Sequence, residues 1–308
     1  MKKQINRISL EQLQKWIKDK KLLVLIDTLP VEVFRQRHLP GAQNACVYEV
    51  TFPEQVKAVV SGKEQEIVVY GSSKASSDAV TAAEKLERIG YKKVYVLDGG
   101  VAAWHGAGYP LEGNNVEAAM TLGNTLKLKD GTYTVDISQS TIEWTGRNPN
   151  GKHFGRVQLL NGEMVFKDNA LSGHFKIDMA SIENVDLTGD DLQPVLISHL
   201  KSDDFFFVKL FPSALFTITT ARQVIPATLS APNYEIEGAL ELRGVRQTLH
   251  FPATLSILSE KQIAAEAHFD FDRTRWNVIY GSSRFFEHLG MHLVFDPISI
   301  QLRLIANS

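Results

Sequence analysis

The residues best placed to do chemistry lie in the run Ile67-Val68-Val69-Tyr70-Gly71-Ser72-Ser73-Lys74-Ala75-Ser76-Ser77. Four β-prone residues lead into a glycine and small polar residues. Ala79, Ala82, Ala83 and Leu86 follow at helical spacing, so the run predicts a buried strand, a tight loop and a helix start. Such a loop aims several backbone N–H groups at one point beside the positive end of a helix dipole. That geometry suits a bound anion, or a cysteine thiolate held at depressed pKa. The position where a nucleophile would stand is Gly71, which has no side chain.

The segments that would hold this loop form an ordered set. Leu25-Ile26-Asp27 ends an earlier strand and His38-Leu39-Pro40-Gly41-Ala42 makes a turn. Tyr95-Val96-Leu97-Asp98-Gly99-Gly100 then precedes Trp104 and Gly108-Tyr109-Pro110. Together these motifs resemble a single rhodanese domain over residues 1–112. The resemblance implies a small parallel α/β sheet with helices on both faces. It also implies that an active member opens the loop with a persulfide-carrying cysteine, often with an arginine five residues later. Gly71 and Ser76 hold those positions here, and Lys74 alone does not restore the chemistry. The expectation is a domain without sulfurtransferase activity. Its loop of Gly71, Ser72, Ser73, Lys74, Ala75, Ser76 and Ser77 would keep a vestigial anion-binding role. Cys46, the only cysteine, reads as a small buried core residue, and the chain has no internal disulfide.

The chain has 308 residues, 44% of them hydrophobic and 22% charged, with a formal net charge of −2. That length predicts two domains, and that charge balance argues against a nucleic-acid partner. Met1-Lys2-Lys3 is followed by charges at Glu11, Lys15, Lys18 and Asp19, which leaves no apolar signal-peptide core and points to a cytoplasmic location. No segment reaches the length of an apolar membrane span. Ile8, Leu10, Leu13, Trp16 and Ile17 predict an amphipathic first helix with Ser9 as N-cap. After Pro110 the character changes, and residues 113–129 read as a linker, with a short helix over Val116–Leu122.

From Gly131 the apolar period switches to two. Tyr133, Val135 and Ile137, Ile142 and Trp144, Phe175, Ile177 and Met179, and Tyr234 through Leu242 each alternate with polar neighbours. So do Ala265 through Phe271 and Ile298 through Leu304. Half-buried antiparallel strands in this number predict a sheet closed as a barrel over residues 130–308. Asp190 to Val208 breaks the rhythm, and its Val195, Leu196, Leu200 and Phe207 predict short helices over a barrel mouth. The run His199-Leu200-Lys201-Ser202-Asp203-Asp204-Phe205-Phe206-Phe207-Val208 leads on to Phe211-Pro212. With Gly238 to Val245 and Phe271-Asp272-Arg273-Thr274-Arg275-Trp276-Asn277, it resembles the YceI-like polyisoprenoid-binding domains from about Tyr133 to Ala306.

The fold class expected is thus α/β plus all-β, a small parallel-sheet domain followed by a lipocalin-like antiparallel barrel. The second resemblance implies a barrel interior holding a long apolar chain such as a polyisoprenoid or an isoprenoid-quinone tail. Candidate walls are Trp144, Phe166, Phe175, Phe216, Phe269 and Phe271, with Phe205, Phe206 and Phe207 at a mouth or lid. Gly173, Gly238, Ala265 and Ala267 would leave room inside. No cofactor is expected beyond such a lipid. His153, His174, His199, His250, His268, His288 and His292 lack metal-site spacing, so no metal is expected. Two non-carrier readings stand beside this one. In the first, an interaction protein uses the Gly71–Ser77 loop for an anion or protein partner. In the second, an enzyme works through Cys46 or on a quinone head group. The sequence leaves a homodimer open.

Overall fold

Short apolar runs alternate with helical segments through the first third of the chain. In the computed structural model, which describes residues 5–116, 128–168, 170–225 and 230–308, the runs become strands β1 (Asn6–Ile8), β2 (Leu23–Asp27), β3 (Gln43–Asn44), β4 (Glu66–Tyr70) and β5 (Lys93–Leu97). Between them lie α1 (Leu10–Lys18), α2 (Val31–Gln36), α3 (Phe52–Val59) and α4 (Asp78–Arg88), and α5 (Gly100–Gly106) follows. The sheet is parallel throughout, in the order β1-β5-β4-β2-β3. A parallel sheet covered on both faces needs apolar residues at every position. Central β4 obeys: Ile67 and Val69 pack on one side with Phe52, Val56, Ala82 and Leu86, whereas Val68 and Tyr70 pack on the other with Leu13 and Trp104.

Ser9 caps α1 as the sequence suggests, its hydroxyl accepting from the Gln12 N–H at 3.2 Å. Ile8, however, belongs to β1 and pairs with Leu97, so the amphipathic stripe spans a strand and a helix. The open edge of β5 takes the backbone groups that a longer helix would have used. Beyond α5, His38 and Glu112 exchange backbone hydrogen bonds, and the Asn114 and Asn115 N–H groups donate to Arg35 and Gln36 carbonyls. Most of the helix expected over Val116–Leu122 lies outside the described residues.

The chain divides into two compact units, Met1–Leu122 and Gly123–Ser308. The second contains β6 (Gly131–Val135), β7 (Thr141–Asn148), β8 (Gly151–Lys167) and β9 (Ala170–Asn184), then α6 (Leu192–Lys201). β10 (Ser213–Gln223), β11 (Tyr234–Leu242), β12 (Val245–Ser259), β13 (Gln262–Asp272) and β14 (Pro297–Asn307) complete it. All pairings are antiparallel, and β13–β14 together with β7–β8 close the ring. β6 and β7 both pair with β8 and β14, so they share one place and the barrel has eight positions. What divides them is the turn at Ile137–Gln139, capped by the Asp136 carboxylate. Ile137 is therefore 42% exposed rather than part of a strand.

Chain direction sorts the connections between the two ends of the barrel. Residues 149–150, 185–212, 243–244 and 273–296 lie at one end, whereas 168, 224–225, 230–233 and 260–261 lie at the other. The long connections share the first end, and α6 lies in one of them.

Candidate functional site

An internal cavity runs through the barrel, bounded by apolar side chains from β7 to β14. The cavity has a volume of about 180 Å³. No polar surface lines it, so water in it would find no polar partner. Burial grades along the axis. Toward the end with short hairpins, Tyr133, Phe166, Leu255, Ile263, Leu304 and Ala306 are all buried and close the tube. Toward the end with long connections, Phe206, Phe269, Phe271, Ile298 and Ile300 line the cavity and are only half-buried. The mouth is at that end.

A belt of aromatic rings crosses the wall. Phe175 stacks on Phe216 at 6.3 Å, Phe216 meets Phe251 at 5.7 Å, and Phe251 stacks on Phe269 at 4.1 Å with 8° between planes. Phe216 on β10 reaches Phe251 on β12 only because β11, which lies between, offers Gly238: a Cβ there would sit 2.3 Å from the Phe216 ring. Gly238 thus makes room for a wall residue rather than for a ligand. A Cβ on Gly173 would likewise lie 2.7 Å from the Glu163 carbonyl and 3.4 Å from the Phe175 ring. Ala265 and Ala267 do line the cavity, where their short side chains leave space.

Two connections cover the mouth. Leu200 of α6, Phe205 and Val278 pack with Trp144 and Ile182, and Leu196, Phe206 and Tyr280 lean on that cluster. The His199 ring stands edge-on to Phe205 at 4.9 Å and to Tyr280 at 4.7 Å, while its Nε2 lies 3.0 Å from the Asp204 carboxylate. Arg243, at φ 52°, donates to the Asp203 carbonyl at 2.7 Å and to the Asn277 carbonyl at 2.6 Å, tying one connection to the other. Buried Arg273 donates to the carbonyls of Val278, Val294 and Phe295. Its neighbour Asp272 accepts from the Thr274 N–H and is joined by Arg284 at 2.7 Å. Burial opposes ionisation of Asp272, but these donors hold its carboxyl below the ordinary value.

In the first unit the loop after β4 is occupied from within. The Asp78 carboxylate accepts from the Ser72 N–H at 3.0 Å, from the Ser72 hydroxyl at 2.8 Å and from the Tyr48 hydroxyl. Burial opposes its charge, but these bonds and Ser76 hold its pKa below the usual carboxylate range. A Cβ placed on Gly71 would lie 2.5 Å from the Asp78 Cβ. The protein's own carboxylate thus fills the space in front of Gly71 and takes the Ser72 N–H, while the Ser73 hydroxyl is buried without a partner. Lys74 is exposed and makes no ion pair among the described residues. Cys46 is 3% exposed and packs in the interior.

Asp27 escaped the sequence reading except as the end of a strand. It is fully buried, with Oδ1 accepting from the Leu29 N–H at 2.9 Å and Oδ2 unpartnered. Burial raises its pKa to about 6. Tyr70 is raised too, by burial and by the Asp27 charge, while its hydroxyl accepts from the Leu39 N–H at 3.0 Å.

Of the aromatic residues expected at the site, Trp144, Phe175, Phe206, Phe216, Phe269 and Phe271 line the cavity. Phe166 does not: it meets Tyr133 edge-on at 5.5 Å and belongs to the closed end. Phe205 is buried under the mouth, and Phe207, at φ 47°, turns toward Phe211. Three consecutive rings in a turn cannot share one face, and one of the three reaches the cavity. Phe251 was missed, although Leu249, Phe251, Ala253 and Leu255 alternate cleanly with His250, Pro252 and Thr254. Among the described residues no three histidine, cysteine or acidic side chains gather as a metal site.

Sequence comparison matches the YceI-like domain to residues 133–306 and the rhodanese-like domain to residues 9–107. No curated protein matches significantly. Among solved structures, the chain is similar to BcnA of Burkholderia cenocepacia (20% identity, 56% of this chain and 99% of that chain, TM-score 0.46). It is also similar to a polyisoprenoid binding domain from Saccharophagus degradans (14% identity, 57% and 98%, TM-score 0.43). A further similarity is to the BH2092 protein of Bacillus halodurans (23% identity, 39% and 85%, TM-score 0.35).

Proposed function

This chain belongs to the YceI-like family, and from that premise we propose that its barrel is a carrier compartment for one long apolar chain of the polyisoprenoid or isoprenoid-quinone type. The observation that carries the reading is the apolar cavity, closed by buried side chains at one end and graded in burial toward the other. Each CH₂ transferred into such a wall gains roughly 0.8 kcal/mol, so a chain of many carbons is held without any catalytic group. The rhodanese-like unit serves as a docking or regulatory module. Gly71 offers no nucleophile and Asp78 fills the space in front of it.

Native mass spectrometry of the purified protein, followed by organic extraction, tests the carrier reading. One apolar chain per barrel is the expected result. An apo mass that also fails to take up a detergent-dispersed isoprenoid would overturn it. A thiosulfate:cyanide assay on the same material should give no turnover above background, and turnover abolished by Cys46→Ser would reverse the reading of the first unit.

A further inference from the structure

At the mouth end the barrel exposes apolar side chains that nothing in their own unit covers. Phe285 is 52% exposed, Phe286 43%, Met291 85% and Phe295 42%, all on the connection between β13 and β14. That connection begins beside cavity-lining Phe271 and ends beside cavity-lining Ile298. The Phe295 N–H donates to Arg147 at the end of β7, which fixes the segment to the rim. Exposed apolar side chains clustered in this way mark a contact surface.

The charges around them distinguish between possible partners. Within the segment, Arg284 is neutralised by Asp272 at 2.7 Å and Asp296 at 3.1 Å, which lowers the cost of moving it toward an apolar phase. On the β12 side of the same end, Arg246 and Arg275 make no ion pair among the described residues. Arg275 spends one hydrogen bond on the Thr248 carbonyl and lies over the Trp276 ring. Asp190 and Asp191 stand on the other connection, between β9 and β10, ahead of α6. Rings and a methionine on an irregular segment, with the unpaired Arg246 and Arg275 on its β12 side and Glu287 beside His288 within it, match an anionic lipid interface approached at a tilt from the arginine side.

We propose that the β13–β14 connection is a membrane-docking surface: Phe285, Phe286 and Met291 enter the headgroup region of a bilayer while Arg246 and Arg275 face its anionic lipids. The contact gives the carrier role its route of loading, since the mouth then opens at the phase where an apolar chain resides. That purpose rests on the proposed function, but the contact itself does not.

Flotation of the full chain with vesicles of phosphatidylcholine, alone or mixed with phosphatidylglycerol, tests the proposal. The protein is expected to float with the mixed vesicles and less with the neutral ones. Combined Phe285→Ser, Phe286→Ser and Met291→Ser should weaken partition at least about tenfold, since each side chain contributes its own burial. Uptake of a detergent-dispersed apolar fluorophore should be unchanged, because these three residues do not line the cavity. Arg246→Gln with Arg275→Gln should erase the preference for phosphatidylglycerol. A wild type that floats with neither vesicle, or a triple variant that floats like wild type, would overturn the proposal. So would self-association that the triple variant abolishes in a protein that ignores vesicles. Vesicle binding without fluorophore uptake would sink the carrier reading and leave the docking surface standing.

Discussion

Asp27 and Gly71 show how two single residues set the chemistry of the first unit. Because burial raises the Asp27 pKa to about 6, above its ordinary 3.8, the folded state holds that proton more tightly than the unfolded chain. Below about pH 4 both states are protonated and the residue exacts no penalty. As pH rises toward 6 the unfolded chain ionises first and stability falls, by about 3 kcal/mol at most, then levels off. Asp27→Asn should flatten that slope and raise stability of the first unit at pH 7, read by urea melts at pH 4, 5, 6 and 7. An Asn variant with an unchanged slope would assign it elsewhere. At Gly71 the space belongs to Asp78, so Gly71→Cys should destabilise by about 1–3 kcal/mol through overpacking rather than install a reactive thiol. Adding Asp78→Gly, which removes the Cβ as well as the carboxylate that the new side chain meets, should recover part of that loss and expose the new thiol to iodoacetamide. Equal stability of the single and double variants would contradict the clash. The motifs around Gly71 were legible because they follow a fixed order in the chain. The inward turn of Asp78 was not, since a carboxylate at the start of a helix looks the same in sequence whether it caps its own loop or faces water.

Among the elements, the barrel strands differed in how plainly their sequence announced them. β9, β11 and most of β13 and β14 alternate and were readable from it, although Ile263–Ala265 and Leu304–Ala306 are buried in succession. β12 carries it too, but Pro252 interrupts the run, and the wall residue Phe251 went unnoticed. Period two assigns a face to each residue of a strand but assigns none within a turn, which is why Phe205, Phe206 and Phe207 could not be separated beforehand. Asp190 to Val208 was expected as short helices over the mouth; α6 is the one α-helix there, and both its His199 and Leu200 contacts and the Arg243 hydrogen bonds join that connection to the one between β13 and β14. Arg243→Ala removes both bonds from that link. It should raise hydrogen exchange at residues 203–207 and 276–280 and speed release of a bound apolar probe, with a stability loss of about 1–3 kcal/mol. Unaltered exchange at both segments would mean that the aromatic contacts of His199, Phe205 and Tyr280 suffice. Phe269→Asp places a carboxylate against Phe251 in the cavity wall and should abolish probe retention along with barrel stability, checked by retention assay and thermal melt.

At the scale of the whole chain, each unit has its own core, so a ligand confined to the barrel should be felt there first. An apolar ligand present at about 100 times its Kd adds about 2.7 kcal/mol to the state that binds it. Hydrogen exchange should slow across residues 131–307 on loading and stay constant across residues 6–112. Protection that rises equally in both units would instead point to a ligand seated outside the barrel.

The closed end of that barrel has a consequence for selectivity. A tube with a floor measures what is put into it. A chain shorter than the distance from mouth to floor leaves wall unfilled, and a longer one must leave carbons in water, so affinity should peak at one chain length. Met164 both lines the cavity and lies among the residues nearest the floor, 2% exposed. Met164→Ala deepens the tube, and the extracted lipid, or the best of a homologous series of isoprenoids, should shift toward greater length. An unchanged optimum would show that the floor sets no limit and that the barrel grips its cargo by the mouth alone.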